Sequence, residues 1–144
     1  RAYSMASVVV FSSPFLCWPD NPEAYLNSPW LNFVRTVPVL WDETRVLPGS
    51  AIGESVILAR RKGDEWYIAA LNCRPEPRTL ELDLAPLDLA GKMMTIYHEG
   101  ETKTGVQIAA GERAPAHGRL SATMPAGGGF MAHFAPAREY PGWR

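Results

Sequence analysis

The stretch Arg78-Thr79-Leu80-Glu81-Leu82-Asp83-Leu84 places a leucine at every second position and a polar residue between each pair. Successive side chains on a strand point to opposite faces, so this pattern predicts a strand with one buried and one solvated side. A helix cannot gather those leucines onto one stripe. Related apolar runs predict further strands over residues 39–47, 54–61, 65–72, 92–98, 119–124 and 130–134. Turn-forming pieces separate them: Lys62-Gly63-Asp64, Leu47-Pro48-Gly49, Arg74-Pro75-Glu76-Pro77 and Ala109-Ala110-Gly111. The first of these reads as a hairpin loop whose glycine can take positive φ. Many short strands joined by turn signals define a mainly β chain, an antiparallel β-sandwich. Its expected core is Trp41, Val56, Leu58, Trp66, Ile68, Leu80, Leu82, Leu84, Ile96, Leu120, Met124, Phe130 and Phe134.

Before Pro38 the texture differs. Met5, Val8 and Val9 recur at three- and four-residue spacing, as on a helix, although Val8-Val9-Val10 also suits a buried strand. Pro14 and Pro19 bracket Phe15-Leu16-Cys17-Trp18, which reads as a short buried strand. Asn21, Pro22 and Glu23 then supply a cap, a first-turn proline and an acidic residue for a helix. Pro29 opens a second short helix that Pro38 stops. The expected organisation is a helical front over 1–37, a sandwich over 38–135 and a surface tail over 136–144. The chain opens on Arg1 with no signal-like segment, and we read it as a piece of something longer.

Composition removes several functions. Lys+Arg 14 against Asp+Glu 15 leaves a net charge of -1, so there is no basic excess to hold nucleic acid or an anionic membrane. The apolar runs stop well short of the roughly 20 residues of a membrane helix. Cys17 and Cys73 cannot build a disulfide scaffold or a zinc knuckle, and are expected as buried or half-buried thiols.

No constellation of residues declares an active site. Gly127-Gly128-Gly129 precedes a strand rather than a helix, so it reads as a turn or bulge and not a phosphate cradle. His98 and His133 fall on strands and His117 in a loop, with no spacing that gathers them around a metal. Asp42 and Glu43 are adjacent, so a strand sends them to opposite faces. They cannot be the two carboxylates of a glycosidase, which face one another across about 5–9 Å. With Trp41, they are expected instead to anchor a hydrogen-bond network where the sandwich meets the helical front.

Several motifs together carry a resemblance. Ser13-Pro14-Phe15-Leu16, Pro22-Glu23-Ala24-Tyr25-Leu26, Val37-Pro38, Trp41-Asp42-Glu43-Thr44, the run from Ala59 to Ile68, and Pro125-Ala126-Gly127-Gly128-Gly129-Phe130 stand in the order and spacing of one family. From Arg1 to about Ala135 the chain resembles the C-terminal end of glycoside hydrolase family 97. Two departures are visible. Leu16-Cys17-Trp18-Pro19 replaces the family's Leu-Gln-Met-type continuation, and 139–144 extends past the usual end.

The resemblance implies an enzyme of bacteria that digest polysaccharides, acting on α-glucosides or α-galactosides. It has an N-terminal β-super-sandwich, a (β/α)8 barrel and a C-terminal β-sandwich associated with oligomerisation. Residues 1–37 would then be the terminal strand and helices of the barrel, and 38–135 the C-terminal sandwich. The family's catalytic carboxylates and calcium-binding glutamates belong to the barrel, so no catalytic, metal or cofactor residue is carried onto this chain. Calcium is expected only in the parent enzyme. The expected partners are the upstream barrel, an α-linked sugar bound by the parent, and a second copy of the chain; the expected location is periplasmic or secreted. If 15–18 closes the barrel, Asp20 lies at the strand end that faces substrate; the alternative is an aspartate in an ordinary turn. A carbohydrate-binding module using exposed aromatics is the other reading of the sandwich.

Overall fold

The computed structural model describes residues 2–11, 13–18, 20–101 and 105–137. Three helices come first: α1 (Ala2–Val10), α2 (Pro22–Leu26) and α3 (Leu31–Thr36). Eight strands follow: β1 (Glu43–Val46), β2 (Ser55–Lys62), β3 (Glu65–Asn72), β4 (Arg78–Asp83), β5 (Lys92–Glu99), β6 (Val106–Arg113), β7 (Arg119–Met124) and β8 (Gly129–Pro136). They form a six-stranded sheet, ordered β1-β2-β3-β8-β5-β6, and a two-stranded sheet of β4 and β7. Every pairing is antiparallel. The chain crosses to the small sheet at β4, returns for β5 and β6, crosses again at β7, and finishes with β8 between β3 and β5.

Alternation accounts for the inner core. Leu80 and Leu82 on β4, with Leu84 just beyond it, turn inward, as do Leu120, Ala122 and Met124 on β7. They meet Trp66, Ile68, Met94, Ile96, Phe130 and Phe134 of the large sheet. The outer face of the small sheet is polar: Thr79 bonds Thr123 at 2.9 Å, and Ser121 donates to Glu81 at 2.7 Å.

The large sheet has a second buried face. Tyr67, Ala69, Leu71, Tyr97 and Met131 lie beneath Met5, Ala6 and Val9 of α1 and Phe33 of α3. The molecule is therefore layered helix, sheet, sheet. With both sides covered, β3 and β8 lose alternation and read as near-continuous apolar runs, in the way doubly covered strands do.

Several expectations need correction. Val8-Val9-Val10 is helix. Phe15-Leu16-Cys17-Trp18 forms no strand, and Phe15 is 77% exposed. Pro14, just before that piece, lacks the N–H of a ladder residue, and the edges of the large sheet are β1 and β6. Both cysteines are exposed, Cys17 in that irregular stretch and Cys73 in the loop after β3. Trp41 and Val56 pack on the helix side and are half-buried, outside the inner core. Ala109-Ala110-Gly111 is no connection but the interior of β6. There Met94 pairs with Glu112 and Thr95 with Ala110, so Gly111 is the extra residue of a β-bulge, at φ +85°. The tail beyond residue 137, Pro19 and Arg1 lie outside the described residues.

Candidate functional site

On the helix side, strand register builds a row of polar side chains across the sheet: Thr44, Arg60, Tyr67, His133 and Thr95. The next row, one step of alternation away, is the apolar Val46, Leu58, Ala69, Met131 and Tyr97. The polar row is tightly bonded at its centre. The Tyr67 and His133 rings stack at 4.2 Å between centroids. The Glu65 carboxylate accepts from His133 Nε2 at 2.8 Å and from Tyr67 Oη at 3.2 Å. Burial, and then the negative charge of Glu65, raise the Tyr67 phenol above its ordinary value. Trp41 meets Tyr67 edge-on at 5.2 Å.

Arg60 is the exceptional member. It is 8% exposed, its Nη2 donates to the Val10 carbonyl at 3.2 Å, and its guanidinium lies 5.7 Å from the Trp41 ring centre. Its Nε and Nη1 are buried without a hydrogen-bond partner. Burial alone lowers its proton affinity from the ordinary arginine value. A guanidinium this deeply placed normally has every donor matched, because an unmatched buried donor costs about 1–3 kcal/mol.

The carboxylates singled out in the sequence do something else. Asp42 accepts from Lys62 Nζ at 2.9 Å and from the Gly63 N–H at 2.7 Å, which ties the entry to β1 onto the β2–β3 turn. Gly63 takes φ +54° there, as the first central residue of a two-residue hairpin loop requires. Glu43 accepts from Arg45 Nε at 2.6 Å and from Arg61 Nε at 3.1 Å. The hydrogen bond from Lys62, and then the Gly63 amide, hold the Asp42 carboxyl below the usual carboxylate range; Arg45 and then Arg61 do the same for Glu43. Both are thus ionised at neutral pH, whereas a glycosidase general acid needs a raised pKa. The network they anchor lies within the sheet. Asp20 is exposed and accepts from the Asn21 N–H at 2.7 Å, while Asn21 caps α2 through Glu23 N–H at 3.0 Å.

His117 is exposed in a loop, and half-buried His98 on β5 faces Phe130 at 5.5 Å, its pKa lowered by burial. Among the described residues, no group of three His, Cys, Asp or Glu side chains is arranged to hold a metal ion. A groove of about 260 Å³ runs past Glu43, Arg45, Arg61, Trp66 and Lys92. Its tryptophan offers no stacking platform, because Arg45 and Arg61 lie over the ring at 5.2 and 6.0 Å. Every described aromatic side chain of the strands is buried.

Arg60, Tyr67 and Glu65 were visible in the sequence only as parts of a motif, and His133 only as a histidine on a strand. Reading alternation on the second face of β2, β3 and β8 would have brought Arg60, Tyr67 and His133 into one row.

The antiparallel sheets, with Asp42 and Glu43 engaged by the chain's own cations and a backbone amide, define a β-sandwich domain. The chain belongs to the family described as Glycosyl-hydrolase 97 C-terminal, oligomerisation, which matches residues 40–135. It is 36% identical over 101 residues to the "Retaining alpha-galactosidase" of Bacteroides thetaiotaomicron, a match covering 69% of this chain and 15% of that enzyme. Among solved structures it resembles a beta-arabinopyranosidase at TM-score 0.77 and 30% identity, over 92% of this chain and 20% of the other. It also resembles a glycoside hydrolase family 97 enzyme from Pseudoalteromonas sp. strain K8, in complex with panose, at TM-score 0.77 and 29% identity, over 92% of this chain and 22% of the other. A coverage of 92% exceeds what residues 40–144 can supply, so both structural likenesses extend into the helical front.

Proposed function

We propose that this chain is the C-terminal part of a larger α-glycoside hydrolase, and that it acts there without catalysing: it buttresses a (β/α)8 barrel and brings subunits together. The observation that carries the reading is the family match over 40–135, joined to a helical side that leaves Phe11, Phe15, Leu26 and Leu40 exposed. Exposed apolar surface concentrated on one side calls for a partner, and the barrel of the same polypeptide is that partner, with residues 1–37 its terminal portion. The parent hydrolyses α-galactosides or α-glucosides, with calcium and the reacting carboxylates held in its barrel. Asp20 belongs to the turn before α2 rather than to the substrate site. Residues 41–43 brace the sandwich edge that faces the front.

The test assays the 144-residue chain, and the parent enzyme in parallel, on aryl α-galactoside and aryl α-glucoside. The chain alone should give no turnover and the parent should turn over one of the two. Turnover by the isolated chain would overturn the proposal. The mass of the chain in solution, from light scattering, should exceed that of one copy. A monomer at every concentration would remove the subunit-pairing role.

A further inference from the structure

Helix α1 meets the sheet through residues far away in sequence. At its start, the Glu99 carboxylate on β5 accepts from the Ala2 N–H at 3.2 Å and from the Tyr3 N–H at 2.7 Å. These are donors that no turn of the helix can satisfy, at the pole where a negative charge is favoured. At its end, Arg60 places a positive charge on the Val10 carbonyl, at the pole where a cation is favoured. Gly129 lies beneath the first turn, so close that a Cβ there would stand 2.5 Å from Tyr3 Cα and 2.9 Å from Tyr3 N. Ala2 and Ala6, both fully buried, keep the helix low on the sheet.

We infer that this face of the sheet is a polarised receptor built for α1, and that the helix so held is the join through which the strands carry the catalytic barrel. The second half rests on the proposed function. The charges fix direction as well as position, since a reversed helix would set Glu99 against carbonyls and Arg60 against N–H groups. The receptor makes α1 part of the same folded unit as the strands, ahead of the residue 40 at which the family match begins. Occupancy of the outward side is argued from two facts. Apart from Ile52, every exposed large hydrophobic among the described residues lies at or before Val46, whereas the far side of the molecule is polar. The likeness to the solved enzymes takes in this helical front, yet the matched part is only 20% and 22% of their length, so each of those proteins has a much larger body to which such a front can join.

Amide exchange on the 144-residue chain tests the receptor. Amides of residues 6–10 should be protected by about 100-fold or more over unfolded rates. Gly129→Ala should lower that protection about tenfold or more, while residues 68–70 of β3 keep theirs. Glu99→Gln should lower it about two- to fivefold, the worth of a charge at a helix pole. Unprotected amides in α1, or amides indifferent to Gly129→Ala, would overturn the receptor. In the parent enzyme, Gly129→Ala should separate a single melting transition into two. A transition left single and unshifted would overturn α1 as the join to the barrel while leaving the proposed function standing, because that reading is tested separately, by turnover in the isolated chain and by its mass in solution.

Discussion

The two faces of the six-stranded sheet are covered in opposite ways. One is closed by β4 and β7, whose inward leucines and methionine fill the core and whose outward threonines, serine and glutamate meet water. The other is covered by α1 and α3, which bury Met5, Ala6, Val9 and Phe33, while the helical front leaves Phe11, Phe15 and Leu26 exposed. The first face is complete within this chain, its outside as polar as its inside is apolar. The second is finished at the sheet, but its outer surface leaves large apolar side chains open among the polar ones. The contrast shows where a fold is self-sufficient and where it expects company.

The comparison is broken most directly by removing one large side chain from each face. Leu82→Ala opens a cavity between the sheets and should lower global unfolding stability by about 2–5 kcal/mol in a urea titration. A loss below about 0.5 kcal/mol would place β4 in the wrong register, with Leu82 on the solvent side. Phe33→Ala removes an equally buried ring from the helix face. Its cost should fall on the helices: exchange in α1 and α3 accelerates while β3 and β8 keep their global protection. Equal acceleration in strands and helices would show one cooperative block and erase the distinction between the faces.

The inner core was legible because its signal is local. Leu80, Leu82 and Leu84 alternate with Glu81 and Asp83, and nothing but a half-buried strand satisfies that pattern. The second core was not. Tyr67, Ala69, Leu71 and Met131 lie between residues that are themselves apolar, so alternation is silent where both faces are covered. The expected core accordingly contained Trp66 and Ile68 but not Tyr67. The candidate site suffered in the same way. The receptor for α1 joins Glu99 and Arg60 to a helix 97 and 50 residues away in sequence, beyond any spacing rule. Gly111 misled for a different reason: a glycine at positive φ serves a bulge as well as a turn, and only the register across β5 separates the two.

Arg60 tests whether the helix face is finished by this chain alone. Its guanidinium gains the Val10 carbonyl and the Trp41 ring but leaves Nε and Nη1 unmatched in a buried place. Replacing a buried, incompletely matched charge with an apolar side chain of similar length is often neutral or stabilising. Arg60→Met should therefore change the stability of the 144-residue chain by less than about 1 kcal/mol in either direction. A loss above about 3 kcal/mol would mean that the guanidinium has a matched partner after all, since that is the cost of breaking a buried pair.

The smallest expected effect lies at the edge where the faces meet, in Asp42 and Glu43. Lys62 and the Gly63 amide hold the first below the usual carboxylate range, and Arg45 with Arg61 hold the second there. A folded pKa below the unfolded one means that the unfolded chain binds protons more readily. The contribution to stability is thus fully present above the unfolded values, about 4, and is lost as pH falls through the lower folded values. Asp42 is exposed and Glu43 only half-buried, so their charges are screened and the effect is local rather than global. The Gly63 amide resonance should hold constant from pH 8 to about 5 and move only below about 4. Asp42→Asn should abolish that movement. A shift that sets in between pH 7 and 6 would assign the tie to a histidine instead.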